Sequence, residues 1–493
     1  MKNFLNNITI ILTFSLLLIS CGDEYHEVNR PSNTAYIDQL KMSDLLAPVI
    51  HSTMEGQRSA ELTFGNYVQN FVFQGGVATG QSSVSGLWKQ VYLYVLPNTK
   101  AIKEKATESN AIHYAAVVDI LNAINIGIAT DTWDNIPYTE ATQAPENNFP
   151  IFDTQEQIYN EIFRLLDNAI AALSAEDDSD YSLGKDDLIY NGDIEKWLRA
   201  AYTIKARYQL HLVNKGVITP NEVLTTIASG FESNDDNFMM FYDDKNINPW
   251  YSSEVLERNT GNAHNDIASQ LVSSMNGDYY PFQSGLQADP RLTLFAQKPD
   301  GESWKGYVSG GGGKAPDGSD ANTEFATNGF YTSIDSPLML ISYAEAKFIE
   351  AEAAFLANGG LPTSTGSTSQ AYNAYIEGIQ ASMDMYKVDG SAYLNDGVIA
   401  VGQSNLMLHH IMKEKYIHNF LNPETFVDFR RYDFSNQVFT GLTIREEEES
   451  DDTQYFGQWF RRAIYPDSEL NRNEANVLAN KQEPVTPVWW DAE

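Results

Sequence analysis

"DTQEQIYNEIFRLLDNAIAAL", residues 153–173, decides the fold class. Its apolar positions Ile158, Ile162, Leu165, Ala169, Ile170 and Leu173 recur at three- and four-residue spacing, which gathers them on one face of a helix. Thr154, followed three residues on by Gln157, has the pattern of a capping box, in which two side chains satisfy the first free backbone N–H groups. "DIEKWLRAAYTIKARYQLHL" (193–212) repeats the period through Ile194, Trp197, Leu198, Ala201, Ile204 and Tyr208. The same reasoning predicts helices at 36–54, 87–106, 109–127, 338–357, 368–386 and 403–420. Strand-like runs are short and few, one of them at 460–465. In "ISYAEAKFIEAEAAFLANGG" (341–360), Ala344, Ala346, Ala351, Ala353 and Ala354 would let a second helix approach closely. The expected fold is mainly α, a tetratricopeptide-like scaffold of helical hairpins.

Hydrophobic residues at 43% and aromatics at 12% are those of a folded globular protein. The net charge of −34, from 66 acids against 32 bases, repels nucleic acid and anionic headgroups, so nucleic-acid binding is set aside. One cysteine excludes a disulfide framework and a cysteine-rich zinc site. It lies in "LLLISCGDEYHE" (16–27), behind an apolar run. Lys2, the stretch Ile8 to Ile19 broken only by Thr13 and Ser15, and small Ser20 form the three parts of a secretory signal. The run is shorter than the roughly 20 residues that span a bilayer, and no later segment reads as long and apolar enough. Leu18-Ile19-Ser20-Cys21 resembles a bacterial lipoprotein box. Residues 1–20 are therefore read as a signal, Cys21 as the lipidated N-terminus, 21–35 as a tether and 36–493 as one domain. Several acyl chains hold such a domain at a membrane without a spanning helix.

Residues 231–335 break the helical pattern. They hold 11 of the 32 glycines, with Asn, Asp, Ser and aromatics between them. Long irregular segments inside a domain tend to carry function, so this loop-rich part is the expected ligand-binding region.

Motifs of catalysis are missing. "SGGGGKA" fails as a phosphate loop, having Val308 where the first glycine belongs and Ala315 where Ser or Thr follows the lysine. Neither a G-x-S-x-G elbow nor an H-E-x-x-H pair occurs. His410, Glu414 and His418 share a helix face at a spacing that suits a metal, against which stands the plainer reading of a packed helix surface. Asp243–Asp244 and "REEEESDD" (445–452) are the segments to which calcium could go, though solvated charge is the simpler use. No catalytic residue, metal ligand or cofactor is assigned.

A set of segments appears in a characteristic order: "DNIPYTEA" (134–141), 152–173, "WLRAAYTIKARYQLHL" (197–212), "DPRL" (289–292), "LMLISYAEAKFIEAEAAF" (338–355), "KEKYIHNFLNPETFVDFRRYDF" (413–434) and "IYPDSELNRNEANV" (464–477). With the lipoprotein start they resemble the SusD/RagB family of Bacteroidetes outer-membrane lipoproteins, in its SusD-like branch. The resemblance implies a non-enzymatic protein that captures nutrient oligomers, typically glycans, at the cell surface. It also implies delivery to a SusC-like, TonB-dependent transporter that the lipoprotein covers as a lid. In lipoproteins of that group an acidic patch behind the cysteine, here Asp23 and Glu24, resembles the signal for surface display. The family's ligand contacts vary with substrate, so none is carried over; Pro137, Tyr138, Arg430 and Arg431 read as fold-building.

A sugar ring offers an apolar C–H face and a hydroxyl edge, so its site needs flat exposed aromatics beside Asn, Asp, Gln or Arg. Trp88 and Trp197 fall in periodic helices, Trp133 and Trp459 beside the family-like segments, and Trp489 and Trp490 near the last residues, where packing is their simplest use. Trp250 and Trp304 remain, in the loop-rich part. The expected site joins Trp250 and Tyr251, between Asn248 and Arg258, with Trp304 and Tyr307; the loop 66–81 supplies Tyr67, Phe73 and Gln74 as a second wall. Two other functions stay open: capture of peptides, which a pocket rich in charge would favour, and an extracellular carbohydrate-active enzyme.

Overall fold

Thr154 Oγ1 accepts the Gln157 N–H and Gln157 Oε1 accepts the Thr154 N–H at 2.9 Å, the expected capping box. The computed structural model describes residues 39–77, 80–445 and 453–491. The chain divides into two units, Met1–Lys41 and Met42–Glu493. Residues 1–38, with the signal, Cys21 and the tether, lie outside the described residues, as do 446–452 of the acidic run.

The longer helices are Met42–Tyr67 (α1), Leu96–Ser109 (α2), Ile112–Trp133 (α3), Gln155–Leu173 (α4), Ile194–His211 (α5), Pro220–Ile227 (α6), Tyr343–Ala357 (α7), Ser369–Tyr386 (α8), Leu408–His418 (α9) and Glu424–Arg431 (α10). They pack as chain neighbours: α2 on α3, α3 on α4, α4 on α5, α5 on α6 and α7 on α8. Further contacts of α7 with α6 and α9 close the scaffold. The chain is mainly α, built of tetratricopeptide-like hairpins. Small residues set the spacing: at Gly127 of α3 a Cβ would stand 2.1 Å from the hydroxyl oxygen of Tyr208 on α5. Ala344, Ala351 and Ala353 of α7 are wholly buried, as their alanine-rich stretch suggested.

Charge is buried between the helices. Arg207 pairs with Glu345 at 2.6 Å, and Arg291 with both Asp289 and Glu414 at 2.6 Å. Lys415 meets Asp428 at 2.9 Å, and Arg431 binds Glu352. Burial raises a carboxyl and its cationic partners lower it; for Glu414, Lys413 and Arg291 prevail and hold it at about 2.

Several boundaries differ from expectation for identifiable reasons. Helix α1 passes residue 54 and continues to Tyr67, because Gly56 and Gly65 pack inside and do not break it. The segment expected at 87–106 runs as Ser85–Lys89, a π-helical turn Gln90–Val95, and α2. Residues 338–341 are a strand: Leu338–Ile341 pairs with Phe238–Met240, and the Ser342 hydroxyl caps the helix from Glu345 N–H. Residues 460–465 form no strand, since their N–H groups go to carbonyls of separate segments, Pro484, Thr132 and Ser82. By length and composition α3 could cross a membrane, contrary to the reading that no later segment qualifies; 72% of its apolar window is buried, so it serves as a core helix.

Among the described residues six short strands appear in chain order: Phe71–Phe73 (β1), Phe238–Met240 (β2), Asn265–Ile267 (β3), Ala296–Gln297 (β4), Glu324–Phe325 (β5) and Leu338–Ile341 (β6). An antiparallel sheet in the order β1-β3-β5-β4 gives the loop-rich part its frame, with Val72 opposite Asp266 and Asp266 opposite Glu324.

Candidate ligand-binding site

The helix Ser269–Met275 ends at Asn276, and the chain turns back so that the Tyr279 N–H reaches the Ser273 carbonyl at 3.1 Å. Asp278 accepts Asn276 Nδ2 at 2.8 Å, which fixes that turn. Across from it runs "SWKGY", held by Asn322: its Oδ1 accepts the Lys305 N–H at 3.2 Å and its Nδ2 donates to the Ser303 carbonyl at 3.1 Å. The two segments meet at Gly306, where a Cβ would stand 2.6 Å from Ser269 Cα, so only glycine allows this approach.

Between them opens a cleft of about 930 Å³, lined by the half-buried rings of Trp304 and Tyr279 and by Asn276, Asp278, Gln287 and Glu302. Lys298, Lys305 and Asp317 complete its polar edge. Lys298 Nζ lies over the indole of Trp304, 5.3 Å from the ring centroid. The Ser319 hydroxyl and N–H hold Asp317 below the usual carboxylate range, so it is an anionic acceptor. The hydroxyl of Tyr279 is raised by burial and stays a neutral hydrogen-bonding group. An aromatic floor with amides, carboxylates and ammonium groups around it can stack one face of a sugar ring and bind its hydroxyls.

Of the residues expected at the site, Trp304 is in this cleft. Trp250 is not: it is 1% exposed, under the guanidinium of Arg58 at 5.1 Å and edge-on to Phe71. It belongs to the core, because Asn248 turns the chain inward there. Asn248, wholly buried, accepts the N–H groups of Trp250 at 2.7 Å and Tyr251 at 3.0 Å and donates to the Ser336 carbonyl. It pins the turn and offers nothing to a ligand. Tyr251, half-buried, opens the π-helical turn Tyr251–Leu256. Arg258 ties that segment to β5 through the Phe325 carbonyl at 2.8 Å and Glu324 at 3.4 Å. Tyr307 is paired through its backbone with Ile267 and Ser269, and burial with Asp266 beside it pushes its hydroxyl up to about 12.

The second wall divides as well. Tyr67 is 3% exposed, with its ring among Phe64, Phe426 and Phe460, so it is core. Phe73 is 44% exposed and lines a separate groove of about 430 Å³ with Arg58, Asn66, Glu254 and His264. Gln74 is exposed beside it and donates its N–H to the His264 carbonyl. Tyr279, Asn276, Gln287 and Lys298 were missed; the signal was present in "NGDYY" (276–280), a turn followed by two aromatics.

The helix face of His410, Glu414 and His418 is packed: Glu414 is bound by Arg291 and Lys413, His418 by Ser342 and Ser382, and His410 accepts the Met407 N–H. Asp243 accepts the N–H groups of Lys245 and Asn246, forming a turn. Among the described residues no cluster of His, Cys, Asp and Glu is arranged to hold a metal ion.

The fold has close relatives. A SusD homologue that binds chitin, from Flavobacterium johnsoniae, is 21% identical with a TM-score of 0.70, covering 92% of this chain and 98% of that one. A SusD homologue from Bacteroides uniformis gives a TM-score of 0.72 at 18% identity, over 93% and 100% of the two chains. A SusD/RagB family protein from Bacteroides thetaiotaomicron gives 0.68 at 23% identity, over 92% and 99%. No curated protein matches the sequence. The family model described as "Starch-binding associating with outer membrane" matches residues 32–466, and with the helical hairpins and the loop-borne cleft it shows that the chain belongs to the SusD-like family.

Proposed function

We propose that the protein is a non-catalytic glycan receptor at the outer membrane, which captures oligosaccharide or polysaccharide in the Trp304 cleft. The observation that carries this reading is the pairing of Trp304 and Tyr279 with a rim of amides and carboxylates in a cleft large enough for a few sugar rings. Membership of a family described as starch-binding and outer-membrane-associated, and a structural relative that binds chitin, support it. The test is binding to a panel of immobilised polysaccharides that includes starch and chitin, with Trp304→Ala in parallel. Retention on one polymer, lost in the variant, is expected. Binding of peptides but of no glycan would replace the reading with peptide capture, and new reducing ends from a polysaccharide would replace it with an enzyme.

Anchoring through lipidated Cys21 at the cell surface and delivery of the captured glycan to a SusC-like, TonB-dependent transporter complete the proposal. Membrane extracts should release the Cys21→Ala protein into the soluble fraction, and mild detergent should co-purify the native protein with a large β-barrel. A variant still membrane-bound after a salt wash, or a native protein isolated alone where other outer-membrane complexes survive, would remove these parts.

A further inference from the structure

In a chain with 66 acidic and 32 basic residues, cations rarely gather in one place. They do so in a cleft of about 530 Å³ between the loop after α5, the end of α10 and the segment 461–491, where Lys215, Arg430, Arg431 and Arg461 face Asp433 and Asp491. Both acids are held by Arg461: Nη1 donates to the two oxygens of Asp491 at 2.9 and 2.8 Å, and Nη2 to Asp433. Arg431 is neutralised from behind by Glu352 and Asp428.

Arg430 is not neutralised in this way. It is 1% exposed and stacked between the rings of Phe426 at 4.0 Å and Trp490 at 4.7 Å. Its Nη1 donates to the main-chain carbonyls of Asp131 and Arg461, and its Nε to that of Phe426. Its Nη2 and the Nε of Arg431 are buried without a hydrogen-bond partner among the described residues. Burial draws Arg430 down to about 10, against the more distant carboxylates of Asp131 and Asp491. A guanidinium kept from water without a carboxylate ligand is stabilised by any anion that reaches it, and its planar donors suit an oxyanion.

We propose that this cleft binds an oxyanionic group, a sulfate, phosphate or carboxylate, over a floor of Arg430 and Arg431 and between rims formed by Lys215 and Arg461. Asp433, with its side chain 82% exposed, is the internal competitor that an incoming anion displaces from Arg461. The site shares no residue with the Trp304 cleft, so its failure would leave glycan capture untouched.

The purified full-length protein is titrated with inorganic phosphate, inorganic sulfate and glucuronate by calorimetry, with chloride keeping ionic strength constant, and melting is followed under the same conditions. Saturable binding of at least one oxyanion is expected, with a melting temperature above that in matched chloride. Binding of phosphate or sulfate alone assigns an inorganic ion or ester, and binding of glucuronate a sugar acid. Asp433→Asn should tighten binding several-fold, whereas Lys215→Gln and Arg461→Gln should each weaken it about tenfold, the loss of one charge-assisted contact. Should Arg461→Gln fail to fold, the variants Asp433→Asn and Lys215→Gln decide. Melting that follows ionic strength whichever anion is present, or unchanged or weaker binding by Asp433→Asn, overturns the site.

Discussion

Two tryptophans of one loop-rich region have opposite uses, and a single pair of substitutions reveals it. Trp304→Ala removes a half-buried ring from the cleft; a stacked ring is worth about 1–3 kcal/mol, so glycan affinity should fall roughly 5- to 150-fold with little change in melting. Trp250→Ala empties a core site that is 1% exposed and should cost about 3–5 kcal/mol of stability, read from a denaturant titration. Equal loss of binding in both, with melting unchanged, would reverse the assignment. Sequence separated neither ring, because loop composition does not say which aromatics turn inward; here the decision is made by Asn248, whose side chain caps the turn. Glu61 supplies a second test at this scale. It is wholly buried, one oxygen lacks a hydrogen-bond partner, and burial raises its carboxyl well above the usual 4.5 despite Asn70. A raised carboxyl destabilises the fold progressively as pH climbs above the unfolded value, since only the unfolded chain ionises freely. Glu61→Gln should therefore be more stable than the wild type at pH 8, by about 1 kcal/mol in a denaturant titration, with the difference shrinking toward pH 4. A gap that widened on acidification would show the carboxylate to be charged and paired.

Helix α4 was readable to within two residues because its period, cap and burial all agree. The end of α1 and the start of α7 were not: Gly65 stays in the helix as a packing surface for Phe71, just beyond the helix end, and Leu338–Ile341 becomes a strand only beside β2, some hundred residues away in the chain. The hairpins rest on close contacts of this kind. Gly127→Ala places a methyl against the buried ring of Tyr208, so α3 and α5 must separate; overpacking of this sort costs about 1–3 kcal/mol. Pairing it with Tyr208→Ala should recover part of that loss, giving a coupling well outside additivity. Additive effects in the double-mutant cycle would mean that the two helices are not in contact there.

Across the molecule the pairings of Arg291 with Glu414, and of Glu352 with Lys415 and Arg431, join segments that are remote in sequence, and no periodicity announces such partners. Glu414 and Glu352, both held at about 2 by cationic neighbours, stay ionised in the folded chain where the unfolded chain takes up protons near the usual 4.5. Their contribution is whole above that value and is lost between about pH 4.5 and 2. Glu414→Gln leaves Arg291 and Lys413 short of a charge in the interior, and should cost about 3–5 kcal/mol at pH 7 and less at pH 3. A penalty independent of pH would assign the loss to packing. The general architecture was thus legible from helical faces and ordered segments, whereas the cleft was legible only at Trp304, since its other wall follows a turn at Asn276 that brings distant loops together.

Lys298 lies over the indole of Trp304, which leaves at most one face of that ring for a sugar. A chain of identical sugar units then meets one short stacking floor, that face with the ring of Tyr279, and each unit is an equivalent register in which the polymer can dock. Lengthening the chain adds registers without adding stacking contacts, so affinity per molecule should climb in proportion to the number of units and affinity per unit should stay level. The receptor would hold long polymers by multiplicity, and the bound chain could shift by one unit without leaving.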